Sequence, residues 1–175
     1  MRAGRAGFTF VETIVVAAVI LILVAVFSLR LIDRVHDAKL DRDVAQFVNT
    51  LRGAVQEAIL RQENLAVVIQ VHDGYYTVYP ETVPGEYDEE SEPLFQREQL
   101  RRCWIDDMEF EDGSHQYSGK IAFWATPQGW SGSLLFNLLD KEDRERFVRI
   151  DRYTTRVIMD EKPLELVEAK STITM

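Results

Sequence analysis

From Phe8 to Leu29 the chain is almost unbroken in apolar residues, with only Thr9, Glu12, Thr13 and Ser28 interrupting the run. A helix that crosses a bilayer needs about 20 such residues, so the pattern predicts a membrane-spanning segment over 8–30. Beyond it the pattern turns amphipathic. Val44, Phe47, Val48, Leu51, Val55, Ala58 and Ile59 recur at spacings of three and four, while Asp41, Arg42, Asp43, Arg52, Glu57 and Arg61 fall largely off that stripe. That is one face of a 3.6-residue period, and it predicts a helix over 31–63 with one side covered. No Pro or Gly intervenes before Gly53. The two halves are therefore expected to form a single helix from Phe8 to about Gln62, roughly 80 Å long at 1.5 Å per residue. Gly53 costs about 1 kcal/mol relative to Ala inside a helix, and it marks either close packing or a tolerated weak point.

After Glu63 and Asn64 the period becomes strand-like. Leu65–Val71 and Tyr75–Tyr79 are rich in Val, Ile and Tyr, and His72-Asp73-Gly74 between them predicts a hairpin turn. Residues Pro80 to Pro93 carry Glu81, Glu86, Asp88, Glu89, Glu90 and Glu92 without apolar periodicity, which predicts an acidic loop. Further strands are expected at Leu100–Ile105, Ile121–Ala125, Ser133–Leu139, Phe147–Asp151 and Arg156–Met159. They are separated by turns at Asp112-Gly113-Ser114, Pro127-Gln128-Gly129 and the charged stretch Asp140–Arg146. The expected organisation is one β-rich domain over 64–160 behind a long helix. A tail over 161–175 forms an edge strand or stays mobile.

Charge and chemistry narrow the function. The formal net charge is -9, and an acidic surface does not attract phosphate backbones, so no nucleic-acid partner is expected. Cys103 is the only cysteine. No intrachain disulfide can form, and a small buried hydrophobe is the expected role. His36, His72 and His115 lack metal-ligand spacing, and there is no nucleophile elbow or phosphate loop. Gly129-Trp130-Ser131-Gly132-Ser133 superficially has the makings of a nucleophile loop, but no helix follows the serine, so a turn between strands is expected. Calcium takes several carboxylate oxygens, yet the acidic loop lacks the alternating Asp/Asn and the Gly of a compact site, so a solvated insertion is expected there. Trp104, Trp124 and Trp130 read as packing residues. No catalytic residue, metal or cofactor is expected, and the chain is expected to act by binding.

The first residues carry the sharpest signal. Met1–Gly7 is short and basic through Arg2 and Arg5, favouring a cytoplasmic N-terminus, although Arg30 and Arg34 weaken the charge asymmetry. An uncleaved signal anchor is one reading; a secretory signal peptide is another, but no Ala-x-Ala site follows Phe27. Neither accounts for Glu12. A carboxylate in a spanning segment costs about 2.5–3.5 kcal/mol on insertion scales, so it usually has a partner. A cut between Gly7 and Phe8 would supply one, a new α-ammonium one helical turn before Glu12 or on a neighbouring copy.

Gly7-Phe8-Thr9-Phe10-Val11-Glu12 followed by an apolar run resembles the class III signal of type IV pilins and type II secretion pseudopilins. Ile121 to Phe136, with its Pro127-Gln128-Gly129 turn, and Val148 to Val157 resemble the C-terminal half of GspH/FimT-type pseudopilins, with Thr155 standing where that family has Gly. The resemblance implies cleavage after Gly7 by the prepilin peptidase, N-methylation of Phe8 and a filament-assembly role for Glu12. It implies an α+β, pilin-like fold: a long N-terminal helix, membrane-spanning in its first half, packed on an antiparallel β-sheet domain. The implied protein is a minor pseudopilin of a type II secretion system, single-pass in the bacterial inner membrane with a periplasmic domain. Its implied partners are the prepilin peptidase, other pseudopilins or pilins in a filament and the inner-membrane assembly platform. A minor type IV pilin, including one for DNA uptake, and a signal-anchored periplasmic enzyme or sensor are the alternatives.

Overall fold

A computed structural model describes residues 10–166, except for the side chains of 26 and 28–37. The chain divides into two compact units, Met1–Lys39 and Leu40–Met175. Helix α1 is assigned over Phe10–Arg61, and it is well described in two stretches, 10–25 and 38–61, which fall largely into different units.

That division overturns the expected pilin-like fold. The single long helix, spanning a membrane with its first half and packed on the sheet with its second, is not seen. No helix among the described residues is long and apolar enough to cross a membrane. The described apolar stretch, 10–25, covers about 24 Å at 1.5 Å per residue, against the roughly 30 Å of a hydrocarbon core. The expectation of a single-pass span over 8–30 is corrected accordingly for the described residues.

The second unit carries all eleven described strands. One sheet is built from β1 (Leu65–Gln70), β2 (Tyr75–Val83), β3 (Glu86–Tyr87), β4 (Phe95–Gln99), β7 (Lys120–Thr126) and β8 (Gly129–Trp130). Its order is β3-β2-β1-β7-β8, with β4 also pairing with β2. The other sheet holds β5 (Cys103–Phe110), β6 (His115–Gln116), β9 (Leu134–Asp140), β10 (Glu145–Ile150) and β11 (Val157–Asp160), ordered β11-β10-β9-β5-β6. Every strand pair is antiparallel. The expected β-rich domain is present, with more strands than the periodicity suggested.

The core forms where the helix stripe meets both sheets. Leu40, Val44, Phe47, Val48, Leu51, Ala54, Val55 and Ala58 are all buried. Ile59, expected on this stripe, lies at its rim and is exposed. Phe47 touches both sheets, with ring centroids 5.1 Å from Tyr76 on β2 and 5.3 Å from Phe136 on β9, each edge to face. Phe136 in turn meets Phe123 at 5.8 Å, and Phe123 meets Trp130 at 5.5 Å. Edge-to-face aromatic pairs add about 0.5–1.5 kcal/mol beyond the area they bury, so this row ties helix and sheets together. A Cβ at Gly53 would lie 3.5 Å from the ring of Phe95, an ordinary contact. The glycine is therefore a tolerated weak point rather than a forced close approach.

Two departures from the strand pattern matter for the surface. β2 runs through Pro80 to Val83, and Pro80 pairs with Leu65. The next residue, Glu81, donates its amide to Asn64. Amides alternate along a strand, so the missing N–H of Pro80 points away from β1, into the gap between β4 and β3, where no ladder bond is lost. What reads as an acidic loop is thus partly strand. The strand expected at Leu100–Ile105 instead runs from Cys103 to Phe110.

The sheets are clasped at Gly129-Trp130. Trp130 donates its amide to Thr154 and accepts one from Tyr153, at 3.1 and 2.9 Å, and it forms a parallel bridge with Arg152. Gly129 has φ +114°, and a Cβ there would fall 2.5–2.8 Å from the backbone of Thr154. No side chain fits. Pro127-Gln128-Gly129 is therefore a turn, as expected, and its glycine also lets the two sheets approach.

Candidate assembly site and the outer sheet face

The apolar stretch 10–25 is helical because Val, Ile, Leu and Ala leave the backbone no competing polar partner and no Gly or Pro breaks it. Every side chain described within it is exposed, and Phe10 is 80% accessible. A soluble monomer rarely leaves so much contiguous apolar surface uncovered, so this stretch requires lipid or protein around it. Glu12 sits in the first turn of α1 and is exposed. A carboxylate there is favoured by the helix dipole. Gly7 and Phe8, the expected cleavage and methylation residues, lie outside the described residues, so the structure does not bring them together with Glu12.

The domain has a second feature that the sequence pattern did not reveal. Along β2, Tyr76 and Val78 face the helix, so Tyr75, Thr77 and Tyr79 face outward, beside Val68 and Gln70 of β1 and Lys120 of β7. Yet Val68 and Thr77 are buried. β4 lies against Thr77, whose hydroxyl donates to the Phe95 carbonyl at 3.1 Å, and beside it the acidic segment 84–94 folds back over the same face as a strap. Tyr87 stacks on Tyr79 at 5.7 Å, and Glu89 forms an ion pair with Lys120. Asp88 receives the amide of Glu90 at 2.9 Å, turning the strap on itself.

Between strap and sheet lies a cavity of about 250 Å³, lined in part by Gln70, Tyr75, Tyr79, Glu89, Arg97 and Lys120. The guanidinium of Arg97 rests 4.1 Å from the centre of the Tyr75 ring. The bond to Glu89 raises the pKa of Lys120, and the same bond lowers that of Glu89. Burial pushes the Tyr87 phenol up. The alternation of Tyr75, Thr77 and Tyr79 was the available signal for this face; nothing local announced the strap.

Glu81 anchors the strap's root. It receives Trp124 Nε1 at 2.8 Å, Asn64 Nδ2 at 2.6 Å and the amide of Gly85 at 2.7 Å. Burial works to raise its pKa, but the Gly85 amide, Asn64 and Trp124 together outweigh it and hold the carboxyl below its usual value. Among the described residues no group of three or more His, Cys, Asp or Glu side chains is gathered to hold a metal ion. Two of the acids offered by the segment, Glu81 and Glu89, are engaged by protein donors.

The remaining singled-out residues are dispersed. His72 lies exposed in the β1–β2 turn. His115 bonds through Nδ1 to Asp107 at 2.8 Å, and the side chain of His36 is outside those described. Ser131 and Ser133 serve the backbone: Ser131 accepts the amide of Trp124, and Ser133 that of Arg152. Trp130 is fully buried, Trp104 and Trp124 partly so. Cys103 is buried, and burial, reinforced by Asp43 and Asp140, pushes its thiol up to about 12.

No family model, no curated protein and no solved structure matches this chain.

Proposed function

We propose that the chain is a minor pseudopilin, a structural subunit of a type II secretion pseudopilus that acts by binding rather than by catalysis. In this reading the prepilin peptidase cuts after Gly7 and Phe8 is N-methylated. The apolar block, residues 8–29, holds the chain at the bacterial inner membrane, with the domain from Leu40 onward on the periplasmic side. The assembly platform then passes the subunit into a filament, where the same block packs against other pseudopilins and Glu12 meets the amino terminus of a neighbour.

The observation that supports the reading is the helical stretch 10–25, apolar and exposed on every described side, with a carboxylate in its first turn. Such a surface needs a partner, and a carboxylate within it needs a cation once water is excluded. The proposal does not require one continuous spine into the domain; it needs only that the apolar block be buried among other subunits.

The test is the intact mass of the protein extracted from membranes. Loss of Met1 to Gly7 with one added methyl group is expected; a mature protein that keeps Met1 refutes the reading. In the same cells, Glu12→Ala is expected to abolish co-purification with the other filament subunits while the domain stays folded.

A further inference from the structure

We propose that the cavity beneath the acidic strap is a binding site for an acidic sugar unit of the uronate class, with Glu89 occupying the carboxylate position until the ligand arrives. The proposal stands independently of the filament reading, because it rests only on the outer face of the first sheet.

The chemistry of the walls defines the ligand. A cavity of about 250 Å³ is the scale of one sugar ring and too small for a folded peptide segment. Tyr75 and Tyr79 stand four residues apart on β2, on the same outward face with Thr77 between them, and the ring faces not taken by Arg97 and Tyr87 are flat surfaces on which a pyranose can lie. The floor is not greasy enough for an apolar guest, since Gln70 and Thr77 interrupt it. Thr77 is committed to the carbonyl of Phe95. The Gln70 side chain has no protein partner among the described residues, leaving its amide available for hydroxyl groups.

The charge is the more specific signal. Although the chain carries a net charge of -9, two cations line this cavity. Arg97 has no carboxylate partner among the described residues; its recorded neighbour is the Tyr75 ring. Lys120 is held by Glu89, a residue of the strap. A guanidinium kept against an aromatic face and left without an acid is well placed to receive a carboxylate bidentately. Glu89 already shows where a carboxylate can sit on Lys120. A ligand that brings its own carboxylate can replace it, and the strap then needs only Tyr87 on Tyr79 to stay closed.

The test uses the full chain in mild detergent, titrated by calorimetry and by ligand-observed NMR with glucuronate, glucose and glutamate. Saturable binding of glucuronate is expected, with glucose and glutamate each bound at least tenfold more weakly, since one lacks the carboxylate and the other the ring. Arg97→Gln is expected to weaken glucuronate about tenfold, as loss of a charge-assisted pair does. Glu89→Gln is expected to tighten it a few-fold by releasing Lys120, a gain that damage to the fold cannot mimic. The proposal is overturned by no saturable glucuronate binding up to roughly 10 mM, or by equal binding of glucose. Equal binding of glutamate overturns the sugar assignment, and an unchanged affinity in Glu89→Gln overturns the role of the strap.

Discussion

Gly129→Ala tests the clasp between the two sheets most directly. The methyl group would be placed 2.5 Å from the carbonyl oxygen of Thr154 and 2.7 Å from its nitrogen, and both are backbone atoms that cannot swing aside. Holding alanine at positive φ costs roughly 1–2 kcal/mol. Separating the strands to relieve the clash loses the Trp130–Thr154 and Tyr153–Trp130 hydrogen bonds, at about 1 kcal/mol each. The sum is about 3–4 kcal/mol, a large share of an ordinary domain's stability. With a urea slope of about 2 kcal/mol/M, the midpoint should fall by roughly 1.5–2 M with the slope unchanged. The assay is urea unfolding of the full chain in mild detergent followed by tryptophan emission, to which buried Trp130 contributes. The paired variant Gly53→Ala makes only an ordinary contact with Phe95, and should raise stability by about 1 kcal/mol. A Gly129→Ala midpoint within roughly 0.3 M of the parent would show that the two sheets do not depend on this approach.

Phe47→Ala removes the ring that joins the helix to Tyr76 and Phe136, and should cost about 3–5 kcal/mol in the same urea assay. The Glu81 carboxyl lies below its usual value of 4.5. Its stabilising contribution is therefore fully present above pH 4.5 and is lost as the pH falls through the lower folded-state pKa. Glu81→Gln should flatten the pH dependence of stability below pH 4.5, read by Trp124 emission, and an unaltered acid limb would count against the bond network at the strap's root. Cys103 should resist a thiol-directed reagent at pH 8 in the folded protein and react at the rate of an ordinary thiol once urea unfolds it, because its thiol is pushed up to about 12. Rapid reaction without denaturant would mean that the β5 end opens locally.

The helix stripe from Val44 to Ala58 was legible because its apolar spacing matches a local, steric period, and the structure buries those side chains. The turns at Gly74 and Gly129 were legible for a similar reason, since glycine there accommodates positive φ. The long membrane-spanning helix was over-read. An unbroken apolar run reports what avoids water, but not whether one helix continues from that run into a domain. β3, β4, β6 and β8 were missed: β3, β6 and β8 are two residues each, too short to show a period, and β4 (Phe95–Gln99) is polar after its phenylalanine, without a strand-like alternation.

By itself, the sequence determined which residues must leave water, where the chain turns, and that an acid stands inside an apolar block; each of these follows from side-chain chemistry and neighbours within a few residues. Only the tertiary structure decided that the acidic segment folds over Tyr79 and Lys120, that Arg97 lies on Tyr75 without an ion-pair partner among the described residues, and that Gly129 meets Thr154. Those are encounters between segments set by strand order. They are specified by the packing of both sheets on the helix, which no local window contains.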